Sequence, residues 1–406
     1  MRHPTPTTSG RRASSRLLAT LAGLALAAMP PAQADQLDLK TKAPQSEGLE
    51  PAPGWTIELT TTGRRVIVRD LQGQLVKVWS NPLPGWAFAE LVKPLSDGRL
   101  LALIFDLSTL GSPPHRKRLV EIDWDNNILW QYDPPPGTSL HHDFQRLPNG
   151  NTLVLLQRRV TIPAISAAEI WDDVIVEVDR GGNAVWEWSC GQNYDKFPLS
   201  TAQRNYLATK PGRSPKVIFH LNSVQAMPDN PWWPQDPSFT PGNLLVSFRE
   251  LNLVMTIDKG TGDVGWFLMN QVIGPHHPRL IPMGTPGAGN ILVFDNGGSA
   301  GAPPQSRSFS RVIEVDPIAV QVVWFYACVP SLHGWCSEKF YTQFQGGAQR
   351  LANGNTLITD SDSGRVFEVN RQRWLVWENR TPGEQVYRAY RFHPRWPNGS
   401  IPEFIW

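Results

Sequence analysis

VIVEVDRGGNAVW, residues 174–186, alternates apolar and polar side chains, turns through Asp179, two glycines and Asn183, and alternates again up to a closing tryptophan. This is hairpin chemistry: successive side chains of a strand point to opposite faces, and Asp, Asn and Gly supply the backbone angles of a tight turn. The phrase returns as RLVEIDWDNNILW (118–130), VMTIDKGTGDVGW (254–266), RVIEVDPIAVQVVW (311–324) and RVFEVNRQRWLVW (365–377), with VIVRDLQGQLVKVW (66–79) as a sixth copy. The closing tryptophans, Trp79, Trp130, Trp186, Trp266, Trp324 and Trp377, fall 51, 56, 80, 58 and 53 residues apart. A small unit recurring at this spacing predicts a ring or stack of small sheets.

Upstream of five copies lies a further strand introduced by a turn: SDGRLLALIF (96–105), PNGNTLVLLQ (148–157), PGNLLVSFR (241–249), AGNILVFDNG (288–297) and ANGNTLITDSD (352–362). One more short segment precedes each, so a unit reads as four antiparallel strands. Six such units predict an all-β fold, a six-bladed β-propeller, with an open solenoid as the alternative. The long interval before Trp266 holds Pro-rich and polar stretches, about 189–217 and 228–241, expected to be surface insertions in one blade. The first copy lacks a strand before it and NGSIPEFIW (398–406) lacks a hairpin after it, so pairing of the two end segments is expected to close the ring and cover the open edge. The repeat tryptophans are expected to pack in the core or between blades.

At 406 residues, with 41% hydrophobic and 18% charged residues, the chain can bury a large core, and its 33 glycines and 37 prolines suit many tight turns. Arg2, Arg11, Arg12 and Arg16 precede an apolar run at 17–29, and Ala32-Gln33-Ala34 offers a small-residue cleavage site. Residues 1–34 therefore read as a signal peptide for the general secretory route, leaving one propeller domain over 35–406 that is expected to be periplasmic or secreted. Without those arginines the chain carries 34 basic and 36 acidic residues, which argues against a nucleic-acid partner. No later segment is long and apolar enough for a membrane helix. Cys328 and Cys336 bracket the loop VPSLHGW and are expected to form a disulfide, with Cys190 left as a shielded thiol. No CxxC spacing supports a cysteine metal site.

The innermost strand of a propeller blade borders the central channel, so polar residues at equivalent places in different blades approach one another. Aligned before their turns, these strands read LHHDFQRLPNGN (140–151), FHLNSVQAMP (219–228), GPHHPRLIPMG (274–284) and FQGGAQRLANGN (344–355). His141, His142, His220, His276 and His277 share one slot. A single histidine on a strand is most often a hydrogen-bonded structural residue. Here the slot varies between HHD, HLN, HHP and QGG, whereas a copied structural plug would be uniform, so a functional histidine cluster is expected. Zinc or copper would need carboxylates around the imidazoles, and only Asp143 is an evident local candidate; no metal or other cofactor is expected. The same imidazoles could instead surround a tetrahedral oxyanion, one as nucleophile and others as donors, with arginine as the planar partner for sulfate or phosphate oxygens. Arg249, Arg279, Arg307 and Arg311 lie close in sequence to this slot. Trp232-Trp233, and Trp335 in the cysteine loop, could stack on an aryl ring or pack a loop onto the rim.

HLNSV (220–224), SFRELNLVMTID (247–258), GPHHPRLIPMGTPGAGNILVFDNG (274–297) and FSRVIEVD (309–316) resemble the corresponding blades of the bacterial arylsulfate sulfotransferases, over approximately 118–380. The resemblance implies a periplasmic six-bladed propeller that moves a sulfuryl group from an aryl sulfate donor to a phenolic acceptor without a nucleotide donor, and the chain has no phosphate-binding glycine loop. It further implies that His220 and Asn222 contact the sulfuryl oxygens, that His277 donates to the leaving phenolate, and that Arg249, Arg307 or Arg311 neutralises the developing charge. His276, Arg279, Trp232, Trp233 and His333 complete the candidate substrate contacts. The family's covalent histidine lies in the last blade, where this chain reads Asp360-Ser361-Asp362-Ser363-Gly364. His142 or His333 is the candidate to replace it. The alternative reading, favoured by that gap, is a non-catalytic propeller that binds a small ligand or a protein partner. A quinoprotein dehydrogenase ranks third, since those propellers usually carry eight blades.

Overall fold

A computed structural model describes residues 50–61, 64–95, 98–110, 115–332, 336–381 and 383–393. Six four-stranded antiparallel sheets follow one another in the order the repeat predicts, five of them built from four consecutive strands, and blade 3 gains a two-residue parallel strand, Lys216–Val217, at its margin. The innermost strands are Val386–Phe392 (blade 1), Trp86–Pro94 (blade 2), Thr138–Arg146 (blade 3), Leu221–Ala226 (blade 4), Pro275–Leu280 (blade 5) and Gly347–Arg350 (blade 6). They touch one another in cyclic order around a central channel. Blade 1 draws its other strands from the opposite end of the chain: Trp55–Thr60 pairs with Val386–Phe392 from Trp55↔Phe392 to Thr60↔Val386. The segment 398–406 and the proposed signal peptide lie outside the described residues.

The repeat tryptophans have both a packing role and a polar one. Each indole N–H donates to a backbone carbonyl in the turn of the next blade: Trp79 to Asp123 (2.9 Å), Trp130 to Arg180 (2.8 Å), Trp186 to Lys259 (2.9 Å), Trp266 to Pro317 (2.7 Å), Trp324 to Arg371 (2.8 Å) and Trp377 to Leu71 of blade 1 (2.8 Å). A buried indole needs such a partner, and here the partner always belongs to a neighbour, so the six bonds staple the blades into a cycle. In four blades a buried glutamate stands opposite the tryptophan across the hairpin: Glu121, Glu177, Glu314 and Glu368. Each receives cations that lie over the same indole ring, as Arg146 and Arg180 do at Glu121 and Trp130. The sequence phrase E-[IV]-[DN] thus marks a charge buried at a blade junction, where it is tolerable only because it is paired.

The insertion at 189–217 carries a short helix, Thr201–Ala208, started by a capping box between Ser200 and Gln203. Phe197, Leu199 and Leu207 from this stretch, with Ile218 and Phe219 just after it, are buried against blades 3 and 4, which fixes the entry into the strand that follows His220.

Candidate functional site

Four innermost strands break their ladder at comparable depth: between Phe88 and Val92, Leu140 and Phe144, Leu221 and Ser223, and His276 and Arg279. At or beside each break a residue with a side chain adopts a left-handed backbone: Glu90 (φ 55°), His142 (φ 52°), His220 (φ 56°) and His277 (φ 49°). Blade 6 has Gln345 (φ 65°) just before its strand. Such conformations cost on the order of 1 kcal/mol or more for a bulky residue, and bulges re-aim side chains that regular pleating would send elsewhere. The strain therefore collects where the histidines enter the channel.

His142 and His220 meet edge to face, ring centroids 4.7 Å apart, and both are half-buried. His141 lies beneath them, its Nδ1 2.9 Å from His142 Nδ1 and its Nε2 3.5 Å from Asp173 Oδ1. Asp173 Oδ2 in turn accepts from the backbone N–H of Leu221 at 2.9 Å. Glu90 accepts from the His142 backbone N–H at 2.7 Å and pairs with Lys117. His276 directs Nδ1 to Asn296 Oδ1 (2.7 Å) and the Gly274 carbonyl (3.0 Å), both acceptors, so Nδ1 carries the proton, and the Nε2 lone pair accepts from the Gln345 backbone N–H at 3.4 Å. Arg249 is fixed by Glu250, by the Ser299 carbonyl (2.9 Å) and by the face of Phe344.

These imidazoles are uncharged at neutral pH. Burial, reinforced by the Arg249 guanidinium, pushes His220 down to about 3, and burial with His220 beside it does the same for His276. His141 falls to about 4 through burial and Lys117, and His142 falls well below its ordinary value through burial and the neighbouring His220. Asp173 is raised to about 7 by burial. The chamber thus offers neutral nitrogen lone pairs and N–H donors beside a fixed cation.

His277 faces another way. Its ring packs on Tyr390 at 5.9 Å, neither ring nitrogen makes a hydrogen bond of ordinary geometry among the described residues, and burial with Arg388, Arg279 and Lys93 nearby holds it uncharged. Below it, Asp143 gathers Lys93 (2.6 Å), Arg279 (3.0 Å) and Arg388 (4.0 Å) and accepts from Ser223 Oγ (3.1 Å). Burial alone would raise the Asp143 carboxyl, but these cations outweigh it and hold it low; burial drives Lys93 down to about 7. Towards the far mouth, Lys93 and Arg279 line a cavity of about 400 Å³ together with Gln145, Arg146, Arg180 and Pro148.

The remaining candidates lie elsewhere. Asn222 donates to the Pro275 carbonyl (2.9 Å) and accepts from Ser247 Oγ (2.5 Å), which ties blade 4 to blade 5. Arg307 and Arg311 both pair with the buried Asp295, at 3.1 and 2.6 Å. Trp232 lies beyond the far end of Leu221–Ala226, the strand that begins beside His220 and runs about 20 Å at the usual rise per residue; its indole donates to the Gly289 carbonyl (2.7 Å) and packs on the rim, with Trp233 exposed beside it. Cys328 and Cys336 are disulfide-bonded and Cys190 is a buried thiol. His333 and Trp335 lie outside the described residues. At the last-blade position Asp360 is half-protonated near pH 6, raised by burial, and Ser361 donates to Gln345. Glu90, Asp173, Arg388 and Tyr390 were missed from sequence. All four lie outside the aligned strands, and the one signal Glu90 shares is its place six residues before the turn of blade 2 at Ser96, as His142 stands six before Pro148.

Among the described residues no group of three or more His, Cys, Asp or Glu could hold a metal ion, and no helix is long and apolar enough to cross a membrane.

A family model described as Arylsulfotransferase (ASST) matches residues 118–382. No curated protein matches the chain. Among solved structures, a protein of unknown function from Bacteroides caccae aligns at 14% identity over 83% of this chain and 98% of its own, with a TM-score of 0.50. A streptogramin B lyase aligns at 10% identity over 82% and 85% (TM-score 0.42), and virginiamycin B lyase from Staphylococcus aureus at 10% over 78% and 78% (TM-score 0.40). At these identities the likeness is one of fold.

Proposed function

The chain belongs to the arylsulfotransferase (ASST) family, and on that premise we propose that it moves a sulfuryl group from an aryl sulfate to a phenolic acceptor, with no nucleotide donor. The observation that carries the reading is the convergence of His142, His220 and His276, uncharged and drawn from three adjacent blades, beside the fixed guanidinium of Arg249. An aryl sulfate brings three sulfuryl oxygens and, as its S–O bond breaks, charge builds on the phenolate. A preorganised cation and imidazole N–H groups in a site shielded from water stabilise that charge by several kcal/mol.

In this reading Arg249 and His220 hold the sulfuryl and phenolate oxygens. His276 Nε2, bare of a proton, takes the proton of the incoming phenol. Asn222 acts from beneath by tying together the strands that carry His220 and His276, and His277 with Arg279 and Arg388 forms the polar floor of the channel. The disulfide supports an oxidising compartment, and the arginines and apolar run at the start of the chain support export to the periplasm.

The test is incubation with 4-nitrophenyl sulfate and a phenolic acceptor. Acceptor-dependent release of 4-nitrophenolate, with the sulfate recovered on the acceptor, is expected. A protein that binds the aryl sulfate without ever transferring the sulfuryl group would instead be the binding propeller.

A further inference from the structure

The end of the channel opposite the histidine chamber is rich in positive charge. His220 stands at the start of the strand Leu221–Ala226, whereas the far-mouth cavity is lined from the other ends of innermost strands and from the turns beyond them. Lys93 and Pro94 close Trp86–Pro94, Arg146 closes Thr138–Arg146, and Pro148 and Arg180 stand in turns. Two carboxylates organise the cations there. Buried Glu121 pairs with Arg99, Arg146 (2.7 Å) and Arg180, and Asp143, outside the lining, pairs with Lys93 (2.6 Å) and Arg279 (3.0 Å). Five lining cations thus face two carboxylates among the described residues, an excess of three positive charges when Lys93 is protonated. The donors are already held in place. The Gly150 carbonyl (2.9 Å) and the face of Trp130 (4.5 Å) fix the Arg146 guanidinium, and Lys93 spends two of its three N–H donors on Asp143 and the Phe144 carbonyl (2.7 Å), leaving one for a ligand. Leu95, Leu101 and Leu147 add apolar wall.

We propose that this cavity is a second ligand site, separate from the histidine chamber, that takes a small organic dianion with two carboxylate groups on an apolar body. Charge sets the first requirement. Lys93 and Arg279 are more than nine-tenths buried, and cations held in excess in such a place attract an anion more strongly than the same groups in open water do. A monoanion leaves most of the excess in place, whereas a dianion offsets two of the three charges. The cations also stand in two groups, Lys93 and Arg279 on Asp143 and the three guanidiniums on Glu121, so that each end of a dicarboxylate meets its own group. The planar forks of Arg146 and Arg180 match carboxylate oxygens. The leucines and prolines between them ask for an apolar body, which a bare inorganic anion does not supply. A volume of about 400 Å³ lies at the low end for ligand pockets and suits a single ring or a short chain. The site uses neither Arg249 nor the chamber histidines, and the proposal is independent of sulfuryl transfer.

The experiment is isothermal titration calorimetry of the full chain with isophthalate, benzoate and inorganic sulfate at low salt and pH 6, below the value of about 7 to which burial drives Lys93, so that its ammonium is present. One isophthalate per chain is expected, bound at least about 10-fold more tightly than benzoate or sulfate. Arg180→Gln, at a half-exposed side chain, weakens isophthalate about 10-fold or more, and Arg249→Gln, in the chamber, leaves its affinity unchanged. Melting curves accompany both variants, and Arg99→Gln, also at a partly exposed side chain, takes the place of Arg180→Gln if that protein fails to fold. No binding of isophthalate overturns the proposal. So does benzoate or sulfate bound as tightly as isophthalate, or an affinity lost in Arg249→Gln and kept in Arg180→Gln, which would place the dianion in the histidine chamber. Each of these results leaves the sulfuryl-transfer reading to its own assay.

Discussion

Asp143 is the single side chain on which the floor of the channel depends, because Lys93, Arg279 and Arg388 converge on it with no other carboxylate in reach of all three among the described residues. Removing one partner of a buried charge network costs about 3–5 kcal/mol, since the charges left behind are neither solvated nor paired. Asp143→Ala is expected to lower the unfolding free energy by that amount, and Asp143→Asn by less because it still accepts a hydrogen bond; chemical denaturation measures both. The sequence pointed to Asp143 only as a carboxylate beside the histidines. Its partners were illegible because Lys93, Arg279 and Arg388 come from blades 2, 5 and 1 and meet only when the ring is assembled. Asp173 was illegible for a related reason: it lies on the third strand of blade 3, Ile170–Val178, two strands out from the channel strand, where the hairpin pattern reads as framework.

The elements divide into those that hold blades together and those that bend to build the chamber. The hairpin phrase announced the first kind clearly, since period-two alternation and turn residues are local properties. The acceptor of each indole N–H was not legible, because it is a backbone carbonyl in the next repeat. Trp266→Phe keeps most of the packing and leaves the Pro317 carbonyl without its donor; a loss of about 1–2 kcal/mol is expected by thermal or chemical melting. Reduction of Cys328–Cys336, which closes a short loop with a sequence separation of 8, is expected to cost about 2–3 kcal/mol from loop entropy, read as a lower melting temperature with reductant. The bulges on the innermost strands were invisible in sequence: nothing in HHD, HLN or HHP marks a left-handed histidine. Their alignment in one slot was nevertheless enough to find the chamber, because the ring places equivalent positions at one depth.

At the scale of the whole molecule, burying His141, His142, His220, His276 and His277 uncharged ties folding to pH. In the unfolded chain each imidazole titrates near 6.5, so below that pH the unfolded state takes up protons that the folded state refuses, and stability falls as pH drops. Asp173 acts in the opposite sense, holding a proton up to about 7 when folded but only near 3.8 when unfolded. Asp360, raised to about 6, and Glu58, also raised by burial, act with Asp173, and three carboxyls against five imidazoles leave the histidines dominant. The melting temperature is expected to drop by on the order of several degrees between pH 7 and pH 5, and a rise over that interval would mean the histidines are charged in the native state. The central claim, that chemistry occurs where three blades bring His142, His220 and His276 together, is tested most directly by acceptor-dependent sulfuryl transfer from 4-nitrophenyl sulfate in His220→Ala and Trp232→Ala, each with its melting curve. The account predicts that His220→Ala folds and loses transfer by at least about 100-fold, while Trp232→Ala, at the far rim, retains the turnover number of the unaltered protein. Transfer that survives in His220→Ala, or that is absent from the unaltered protein, would contradict it.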